Sequence, residues 1–422
     1  MSDFAFLKRL FKAYYKEHHE DLPIINLFTQ REIGLIPWDK QIMIRHLGFE
    51  NTDYFKSFII ETVPRHLYAS GSLYEQPNAP RMDEKAYIGC DLIIDIDVDH
   101  FYTPCKEQHD IWYCKECNNN GKGMCKKCSR CGSLKIRTLA WICDECLEVA
   151  KKEIIKLVDD FLIPDFGISE DEMKLAFSGH RGYHLKVENE RIRTLSSEAR
   201  RELVDYVSGD NLSFELLGLR ERSGTIYGLS KWNVGWSSKI VNKMEEKFRD
   251  SDENIKEFLE NNVGFPQTVI DHFLSYKTDF LDVLNDPNHN IWAMEGFQLV
   301  RWKKLLSAIV KEIGAEIDEP VTIDTHRLIR YPGSLHGKTG FKVQELNFDQ
   351  LKAYVPLDES DPALDPVVFK SNITHKLEVT EPILPVSTIK GESFGPYSQG
   401  ELIEVPHHIA VYLLSKEVAR AI

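Results

Sequence analysis

Residues 90–101 read CDLIIDIDVDHF, and this stretch decides the fold because apolar and acidic side chains alternate along it. Successive side chains of a β-strand point to opposite faces of the sheet. The two faces therefore differ, with Ile94, Ile96 and Val98 on one and Asp95, Asp97 and Asp99 on the other. The alternation predicts a strand that packs one face on a core and presents acids on the other.

The chain around this strand has 422 residues, which is enough for two or three structural units. Its composition, 42% hydrophobic and 28% charged, is that of a globular protein and excludes collagen-like, coiled-coil and disordered chains. No apolar run is long enough to cross a bilayer and no signal peptide is visible, so we expect a soluble, cytoplasmic protein with no membrane partner.

The charge balance limits the partners that the protein can bind. Lys and Arg total 52 against 66 Asp and Glu, which gives a formal net charge of -14. A chain this acidic does not coat long duplex DNA through bulk electrostatics. Any contact with nucleic acid must therefore be local.

Hydrophobic periodicity predicts several further elements. A helix is expected from about Cys143 to Phe161, and residues 173–187 predict two strands joined by a tight polar turn. Residues 198–314 have a helical pattern, whereas residues 316–343 are strand-like. A terminal helix is expected near His407 to Ala421. Together these elements indicate a mixed α/β (α+β) fold.

Asp95 and Asp97 carry the first chemical signal. Residues i and i+2 on one face of a strand lie about 6.5 to 7 Å apart, and two carboxylates there raise each other's pKa unless a cation sits between them. Oxygen ligands favour Mg²⁺ or Mn²⁺, and such sites usually handle phosphate substrates. A bare Asp-x-Asp also occurs on solvated strand edges. The apolar run from Leu92 to Ile94 favours a buried strand and therefore the metal site.

Two loops rich in hydrogen-bond donors accompany the acidic strand. Residues 178–184 read SGHRGYH, in which two glycines let the backbone approach a ligand and the Ser, Arg and His side chains suit phosphate oxygens. Residues 318–340 place two acids before His326, Arg327 and Arg330, followed by a loop of small and donor residues. Taken alone, each loop is also compatible with a solvated polar surface.

Eight of the nine cysteines fall within residues 105–146, mostly in Cys-x-x-Cys pairs. In a chain without a secretory signal this clustering predicts thiolate metal binding rather than disulfides, with zinc as the default metal. Four cysteines have the spacing of a zinc ribbon, namely Cys114, Cys117, Cys128 and Cys131. A second set of candidate zinc ligands is Cys105, His109, Cys143 and Cys146. The alternative is a single zinc ion with the other cysteines free.

The acidic strand and the two donor loops together resemble the catalytic small subunit of archaeal and eukaryotic DNA primases. The resemblance rests on the Asp-x-Asp of the apolar strand, the Ser-Gly-x-Arg-Gly-x-His turn at 178–184 and the run HRLIRYPGSLHGKTG at 326–340. It extends upstream to REIG at 31–34, MIRHL at 43–47 and VPRHLY at 63–68. Residues 206–300 and the C-terminal tail lie outside it.

The resemblance implies a role for particular residues. Asp95, Asp97 and Asp318 would bind the catalytic Mg²⁺ or Mn²⁺ ions, with Asp318 preferred to Asp324 as the third acid. The incoming nucleotide would be held by Ser178, Gly179, Arg181, Gly182, His184, Arg327, Arg330 and His336. The family's zinc knuckle, which follows the acidic strand, resembles the second cysteine set and leaves residues 110–140 as an inserted ribbon.

The resemblance also implies a discontinuous catalytic core in which two small sheets meet at the acidic strand. The expected core comprises residues 1–104, 147–205 and 301–370, with a zinc module at 105–146, a helical insertion at 206–300 and a C-terminal tail with a helix at 371–422.

The function implied is that of the catalytic subunit of DNA primase. Such a subunit makes short primers on a single-stranded DNA template from NTP or dNTP by two-metal nucleotidyl transfer, for DNA replication. The family also implies a heterodimer with a primase large subunit. One open alternative is a primase-polymerase of repair or gap filling, which needs an existing 3′ end. Another is a non-catalytic zinc-ribbon scaffold of a replication or transcription complex, against which the intact acids argue.

Overall fold

The computed structural model describes residues 3–287, 290–292 and 294–422, apart from Phe101 and the side chain of His100. These residues form two units, of which one comprises Met1–Arg201 with Ile317–Ile422 and the other comprises Glu202–Glu316. The predicted mixed α/β fold is confirmed, since helices alternate with several antiparallel sheets. None of the helices in these ranges is long and apolar enough to cross a membrane.

The helices, in chain order, are α1 (Asp3–Glu17), α2 (Thr52–Thr62), α3 (Lys106–His109), α4 (Asp144–Leu157), α5 (Glu190–Arg193), α6 (Ser197–Ser208), α7 (Trp236–Phe248), α8 (Asp252–Asn261), α9 (Gln267–Ser275), α10 (Lys277–Asn285), α11 (Leu299–Ile313), α12 (Glu319–Ile323), α13 (Phe348–Ala353) and α14 (His407–Ser415).

The strands are β1 (Arg31–Ile36), β2 (Ile44–Leu47), β3 (His66–Tyr74), β4 (Tyr87–Cys90), β5 (Leu92–Asp97), β6 (Ile111–Cys114), β7 (Asn120–Lys122), β8 (Ile136–Leu139), β9 (Met173–Phe177), β10 (Gly182–Val187), β11 (Arg220–Arg222), β12 (Thr225–Tyr227), β13 (Leu328–Arg330), β14 (Gln344–Leu346), β15 (Thr374–Val379), β16 (Ile383–Leu384), β17 (Ser387–Ile389), β18 (Glu392–Phe394), β19 (Tyr397–Ser398), β20 (Leu402–Pro406) and β21 (Ala419–Ala421).

Two antiparallel sheets of the first unit surround the acidic strand. One sheet has the order β13-β3-β1-β2, with β4 also paired to β3, and the other has the order β14-β9-β10-β5. β5 is thus an edge strand. Its partner β10 places Gly182 opposite Asp97 and His184 opposite Asp95, so the acidic strand and the second strand of the SGHRGYH segment share one edge.

β5 keeps the predicted alternation as far as Asp97. The side chains of Ile94 and Ile96 are fully buried, whereas those of Asp95 and Asp97 are partly exposed. A 3-10 turn at Val98–His100 then ends the strand. The acidic face of the strand therefore has two aspartates rather than the predicted three.

The acidic face of β5 looks toward the other sheet. Ile93 shares that face, and a Cβ added to Gly71 of β3 would overlap the Ile93 side chain. α4 packs against both β5 and β10. The two sheets therefore meet at the acidic strand, as the resemblance implies.

A tight turn joins β9 to β10, as predicted. The amide of Ser178 donates to the carbonyl of Gly182 at 3.0 Å, which closes the turn. Gly179 has a φ of 76°, in the left-handed region that glycine adopts without strain. A Cβ added to Gly182 would overlap the carbonyl oxygen of Ile96. The backbone of the turn therefore requires both glycines.

The strand-like segment 316–343 was predicted wrongly in part. It begins with helix α12 and contains only one strand, β13, before a long loop. The physical reason is local: Pro320 and Pro332 lack an amide hydrogen, so neither can continue a strand ladder. Asp318 precedes α12 and its carbonyl accepts from the Thr322 amide, which turns the chain into a helix instead.

The ends of two predicted helices also differ. The helix expected from Cys143 to Phe161 is α-helical to Leu157 and continues as a π-helical turn at Val158–Leu162. The terminal helix ends at Ser415 rather than near Ala421. Glu417 has a φ of 58°, which breaks the helix, and the residues after it pair with β15 as strand β21.

The second unit is largely helical. Helix α11 buries an apolar stripe, which includes Trp302, Leu305, Leu306, Ile309 and Ile313. The ring of Phe280 lies 5.6 Å from that of Trp292 and 4.9 Å from that of Trp302. These indoles are therefore core residues and do not form a platform on which bases stack.

A buried ionic network ties β1 to the start of β5. Asp91 is fully buried and accepts from Arg31 at 2.6 Å and from Arg193 at 2.6 Å. Arg200 donates to the backbone carbonyl of Asp91 at 3.1 Å. Because Arg31 belongs to one sheet and Asp91 leads into the other, this network fixes how the two sheets approach.

Replacing Asp91 by Asn should strongly destabilise the protein. The amide keeps the shape but removes the charge that compensates the buried guanidinium of Arg31 and the partly buried one of Arg193, and breaking a buried pair costs about 3 to 5 kcal/mol. Urea unfolding of the variant and the wild type measures the difference. The control is Asp83→Asn, whose carboxylate pairs with Arg81 at the surface and should matter little. Equal stability of all three proteins would contradict the prediction.

Candidate active site and metal centres

Three carboxylates converge at the edge of β5. The amide of Asp318 donates to the carbonyl of Asp95 at 3.0 Å, so the residue that precedes α12 lies beside the acidic strand. Burial raises the pKa of Asp95 to about 7, and the negative charges of Asp97 and Asp318 add to the effect. The structure therefore brings Asp318, which is distant in the sequence, to the edge that carries Asp95 and Asp97.

A cation fits this edge because one acidic atom is left unsatisfied. Oδ1 of Asp95 is buried and has no hydrogen-bond partner in the described part of the chain. His184 approaches it, with Nε2 at 3.5 Å from that oxygen. Burial, reinforced by the charge of Arg330, lowers the pKa of His184 to about 3, so the imidazole is neutral. A neutral ring leaves the carboxylate charge uncompensated.

A further cluster at this edge includes Asp99, which the sequence places on the acidic face of the strand but not among the predicted metal ligands. One ligand atom from each of Asp97, Asp99 and His180 lies within 4.8 Å of the others. Asp99 reaches this position from the 3-10 turn after β5. The acidic group, like the two cysteine sets described below, fits metal binding.

A cleft of about 370 Å³ opens in front of Asp95 and His184. Its other lining residues include Arg45, Tyr68, Asp324, Arg327 and Arg330. Asp324 is exposed, and its carboxylate accepts from the His326 amide at 2.8 Å. The cleft thus combines the acidic edge with two of the predicted nucleotide-binding arginines.

Arg330 is held in place by residues of β3. Its guanidinium lies 2.8 Å from Nδ1 of His66 and 5.3 Å from the ring centroid of Tyr68. The amide of Gly337 also donates to Nδ1 of His66, at 3.2 Å. His66 therefore acts as an acceptor that orients both the arginine and the loop after it.

The two donor loops pack against each other. Oγ1 of Thr339 donates to the carbonyl of Gly179 at 2.6 Å. The rings of His180 and His336 stack with centroids 5.1 Å apart, and burial holds the pKa of both well below its usual range. A Cβ on Gly179 would lie 2.8 Å from that of His336. The SGHRGYH turn and the SLHGKTG loop thus form one surface, to which Ser178 contributes as a buried residue.

Arg181 is placed differently from the other predicted nucleotide-binding residues. Its side chain is fully buried, and its guanidinium pairs with Asp99 at 2.9 Å and with Asp110 at 3.1 Å. One guanidinium nitrogen also lies 3.7 Å from Sγ of Cys146. The structure therefore joins Arg181 to the cysteine-rich segment and to the turn after β5, and not to the cleft in front of Asp95.

A second cavity, of about 600 Å³, lies beyond His180. Four cations line it together with His66 and His180, namely Arg65, Arg137, Lys338 and Lys416, against the acids Asp99 and Glu417. Nζ of Lys416 donates to the Ala140 carbonyl at 2.7 Å, and burial lowers the pKa of this lysine to about 7. Sequence reasoning missed Lys416, because no recognisable motif lies near it in the chain.

Both predicted cysteine sets assemble. Cys105, His109, Cys143 and Cys146 each offer a ligand atom within 4.8 Å of the others, and so do Cys114, Cys117, Cys128 and Cys131. All nine cysteines are free of disulfides. In the first set, Nε2 of His109 faces the sulfurs while Nδ1 lies 2.8 Å from a carboxylate oxygen of Asp110. An acid behind a metal-binding imidazole is the usual arrangement that fixes its orientation.

The two remaining cysteines have other contacts. Cys90 is buried, and its Sγ lies 3.1 Å from the carbonyl of Asp91. Sγ of Cys125 lies 3.1 Å from the carbonyl of Lys127. Neither belongs to a four-ligand set among the described residues.

Comparisons with known proteins identify the family of the chain. Residues 137–348 match the family described as DNA primase small subunit. The DNA primase small subunit PriS of Picrophilus torridus is 31% identical over 98% of this chain and 96% of its own length. That of Methanothrix thermoacetophila is 32% identical over 98% of both chains, and that of Nitrosopumilus maritimus is 27% identical over 99% and 98%.

The chain is therefore a nucleotidyltransferase of the kind that polymerises nucleotides on a DNA template. It belongs to the DNA primase small subunit family, which supplies the catalytic subunit of primase in DNA replication. The family predicted from the three motifs is confirmed. Membership implies DNA and nucleotides as substrates.

The raised pKa of Asp95 predicts a pH dependence of stability. An ordinary Asp titrates near pH 4, so between about pH 4 and pH 7 the folded state binds the proton more tightly than the unfolded state. The free energy of unfolding therefore falls as pH rises through this window, by on the order of 3 kcal/mol. In buffers without Mg²⁺ or Mn²⁺, Asp95→Asn should match the wild type near pH 4 and exceed it at pH 8.

Urea unfolding at several pH values measures this difference. The control is Asp324→Asn, which removes an exposed acid from the same cleft and should follow the wild type at every pH. Parallel stability curves for the wild type and Asp95→Asn would contradict the raised pKa.

Proposed function

We propose that Asp95, Asp97 and Asp318 hold two Mg²⁺ or Mn²⁺ ions and that the protein starts primers on single-stranded DNA. The observation that carries the proposal is the convergence of the three acids, one with a buried and unsatisfied oxygen, beside a basic cleft. When bound, two such ions activate a 3′-hydroxyl and stabilise charge on the transferring and departing phosphates.

The cleft in front of Asp95 supplies the positioning that this chemistry needs. Arg330, oriented by His66 and Tyr68, and Arg327, which is exposed, bring fixed positive charge to the mouth of the cleft. The neutral imidazole of His184 can donate a hydrogen bond without repelling a cation. In such sites, orientation and charge stabilisation supply most of the rate enhancement.

The paired donor loops are suited to hold the triphosphate. Ser178, Gly179 and Gly182 shape a turn that a side chain larger than hydrogen would block at two positions. The stacked rings of His180 and His336 are neutral at physiological pH and can donate to phosphate oxygens. Lys416, which lines the adjoining cavity, adds an ammonium group for which an anion would be the natural partner.

Arg181 is better described as a positioning residue in this proposal. Its ion pairs with Asp99 and Asp110 connect the turn after β5 to the segment that carries His109 and Cys146. We propose that zinc binds to both four-ligand sets. The set that contains His109 then holds Arg181 and the turn after β5 in position. When bound, zinc closes such a set and holds the surrounding loop folded.

The proposed partners are a single-stranded DNA template, NTP or dNTP, and a primase large subunit. Family membership implies DNA and nucleotides, and the single-stranded form of the template is part of the proposal. The large subunit rests on the family alone.

Unprimed synthesis on single-stranded DNA with Mg²⁺ or Mn²⁺ tests the proposal. Asp97→Ala and Asp318→Ala should each lower nucleotide incorporation about a thousandfold or more, since each removes a carboxylate that holds the ions. Asp324→Ala is the matched control, because it removes an acid from the same cleft and should retain most activity. Thermal unfolding of each variant confirms that the fold is kept.

Two results would contradict the proposal. Extension of an existing 3′ end without any unprimed synthesis would favour the repair or gap-filling enzyme. Equal losses in Asp318→Ala and Asp324→Ala would leave the third metal-binding acid unassigned.

The zinc proposal predicts two zinc ions for each chain. Native mass spectrometry of the purified protein should give this stoichiometry. Cys143→Ser should reduce it to one by opening the set that contains His109, and Cys114→Ser should do the same by opening the other. Cys90→Ser is the control and should retain both ions. A wild-type protein with one ion or none would contradict the prediction.

A further inference from the structure

Positive charge is concentrated in one short segment of this acidic protein. Residues 111–139, which contain β6, β7 and β8, hold seven Lys and Arg side chains and one Glu. The segment therefore has a formal charge of +6 in a chain whose total is -14. Four thiolates around a divalent ion would carry about -2, so the zinc-loaded segment would still be positive.

The charged side chains of this segment face solvent. Lys115, Lys122, Lys126, Lys127, Arg130, Lys135 and Arg137 are all exposed. Lys135 pairs with Glu116 and Arg137 pairs with Glu381, both at 2.7 Å. The other five have no ion pair with any residue that the structure describes. Their charge is thus available to a partner.

Apolar groups accompany the charge. Two apolar side chains of the same segment face solvent, since Met124 is 55% exposed and Leu134 is 76% exposed. Exposed cations with apolar side chains near them in the sequence can contact the phosphates and the unstacked bases of a single strand, although neither apolar group offers an aromatic stacking surface. A duplex presents only its backbone and groove edges to such a surface.

The basic segment is continuous with the candidate active site. Arg137, in β8, lines the second cavity together with His180 and Lys416, and His180 belongs to the cluster with Asp97. The basic segment therefore borders, through Arg137, the cavity that contains His180 beside the acidic edge of β5.

We propose that the basic segment at residues 111–139, which forms nearly all of the inserted ribbon, binds the backbone of the single-stranded template and guides it toward the acidic strand. This inference rests on the proposed function, because it takes DNA as the substrate. It assigns the contact to a segment whose local charge is positive although the chain as a whole is negative.

Salt-dependent binding of a fluorescent oligothymidine to the zinc-loaded protein tests the inference. The variant carries Lys122→Gln, Lys126→Gln and Lys127→Gln, which remove three exposed charges and no metal ligand. Each phosphate that is no longer neutralised should reduce the slope of log affinity against log salt by about 0.7, so the slope should fall by about 2. At 0.1 M salt the affinity should fall about a hundredfold.

The matched control changes Lys8, Lys12 and Lys16 to Gln. These lysines are exposed on α1, and the substitution alters the net charge by the same amount. It should leave both slope and affinity close to the wild type. Equal losses in the two triple variants would indicate bulk electrostatics and overturn the inference.

Lysine acylation of the wild type, read by mass spectrometry, gives a second measurement that needs no variant. Oligothymidine should protect Lys122, Lys126 and Lys127 and leave Lys8, Lys12 and Lys16 reactive. Lack of protection at the ribbon would reject the inference while leaving the proposed function intact. Displacement of the oligonucleotide by an equally charged polyglutamate would also reject the inference, since the segment would then bind any polyanion regardless of its chemistry. A wild type without either DNA binding or unprimed synthesis would instead reject the proposed function.

Discussion

The pairing of β5 with β10 is the constraint on which the site depends. It sets His184 opposite Asp95 and Gly182 opposite Asp97, and it leaves the acidic face of an edge strand open toward the other sheet. The backbone bond from Asp318 then adds a third carboxylate to the same edge. Burial, reinforced by the like charges of Asp97 and Asp318, raises the pKa of Asp95 and so disfavours its ionised form. A cation bound at this edge would relieve the repulsion.

The cysteine-rich segment is connected to that edge through Arg181. A guanidinium between Asp99 and Asp110 places the turn after β5 in ionic contact with the residue that orients His109. A metal ion lost from the set that contains His109 would therefore alter the position of Arg181 and of the turn after β5, although that set does not contact substrate itself. Burying an arginine costs free energy, and the two acids compensate it.

The local distribution of charge, and not the net charge of the chain, determines where this protein can bind an anion. The chain is acidic overall, yet cations gather around the second cavity and along the ribbon that leads to it. Charges within about 8 to 10 Å of a bound anion act on it strongly, whereas distant ones are screened by salt. A net negative surface and a local anion site are therefore compatible, and the acidic remainder disfavours contact elsewhere.

Residue types at short spacing were sufficient to predict the family, the acidic strand, the two-strand turn and both cysteine sets. Three-dimensional packing alone established that Asp99 leaves the strand, that Arg181 faces Asp110 and that Lys416 joins His180 at one cavity. The end of the terminal helix at Ser415 likewise depends on tertiary structure, because the residues that follow pair with β15. These outcomes arise from packing between segments distant in the chain, and local periodicity carries no information about which segments will meet.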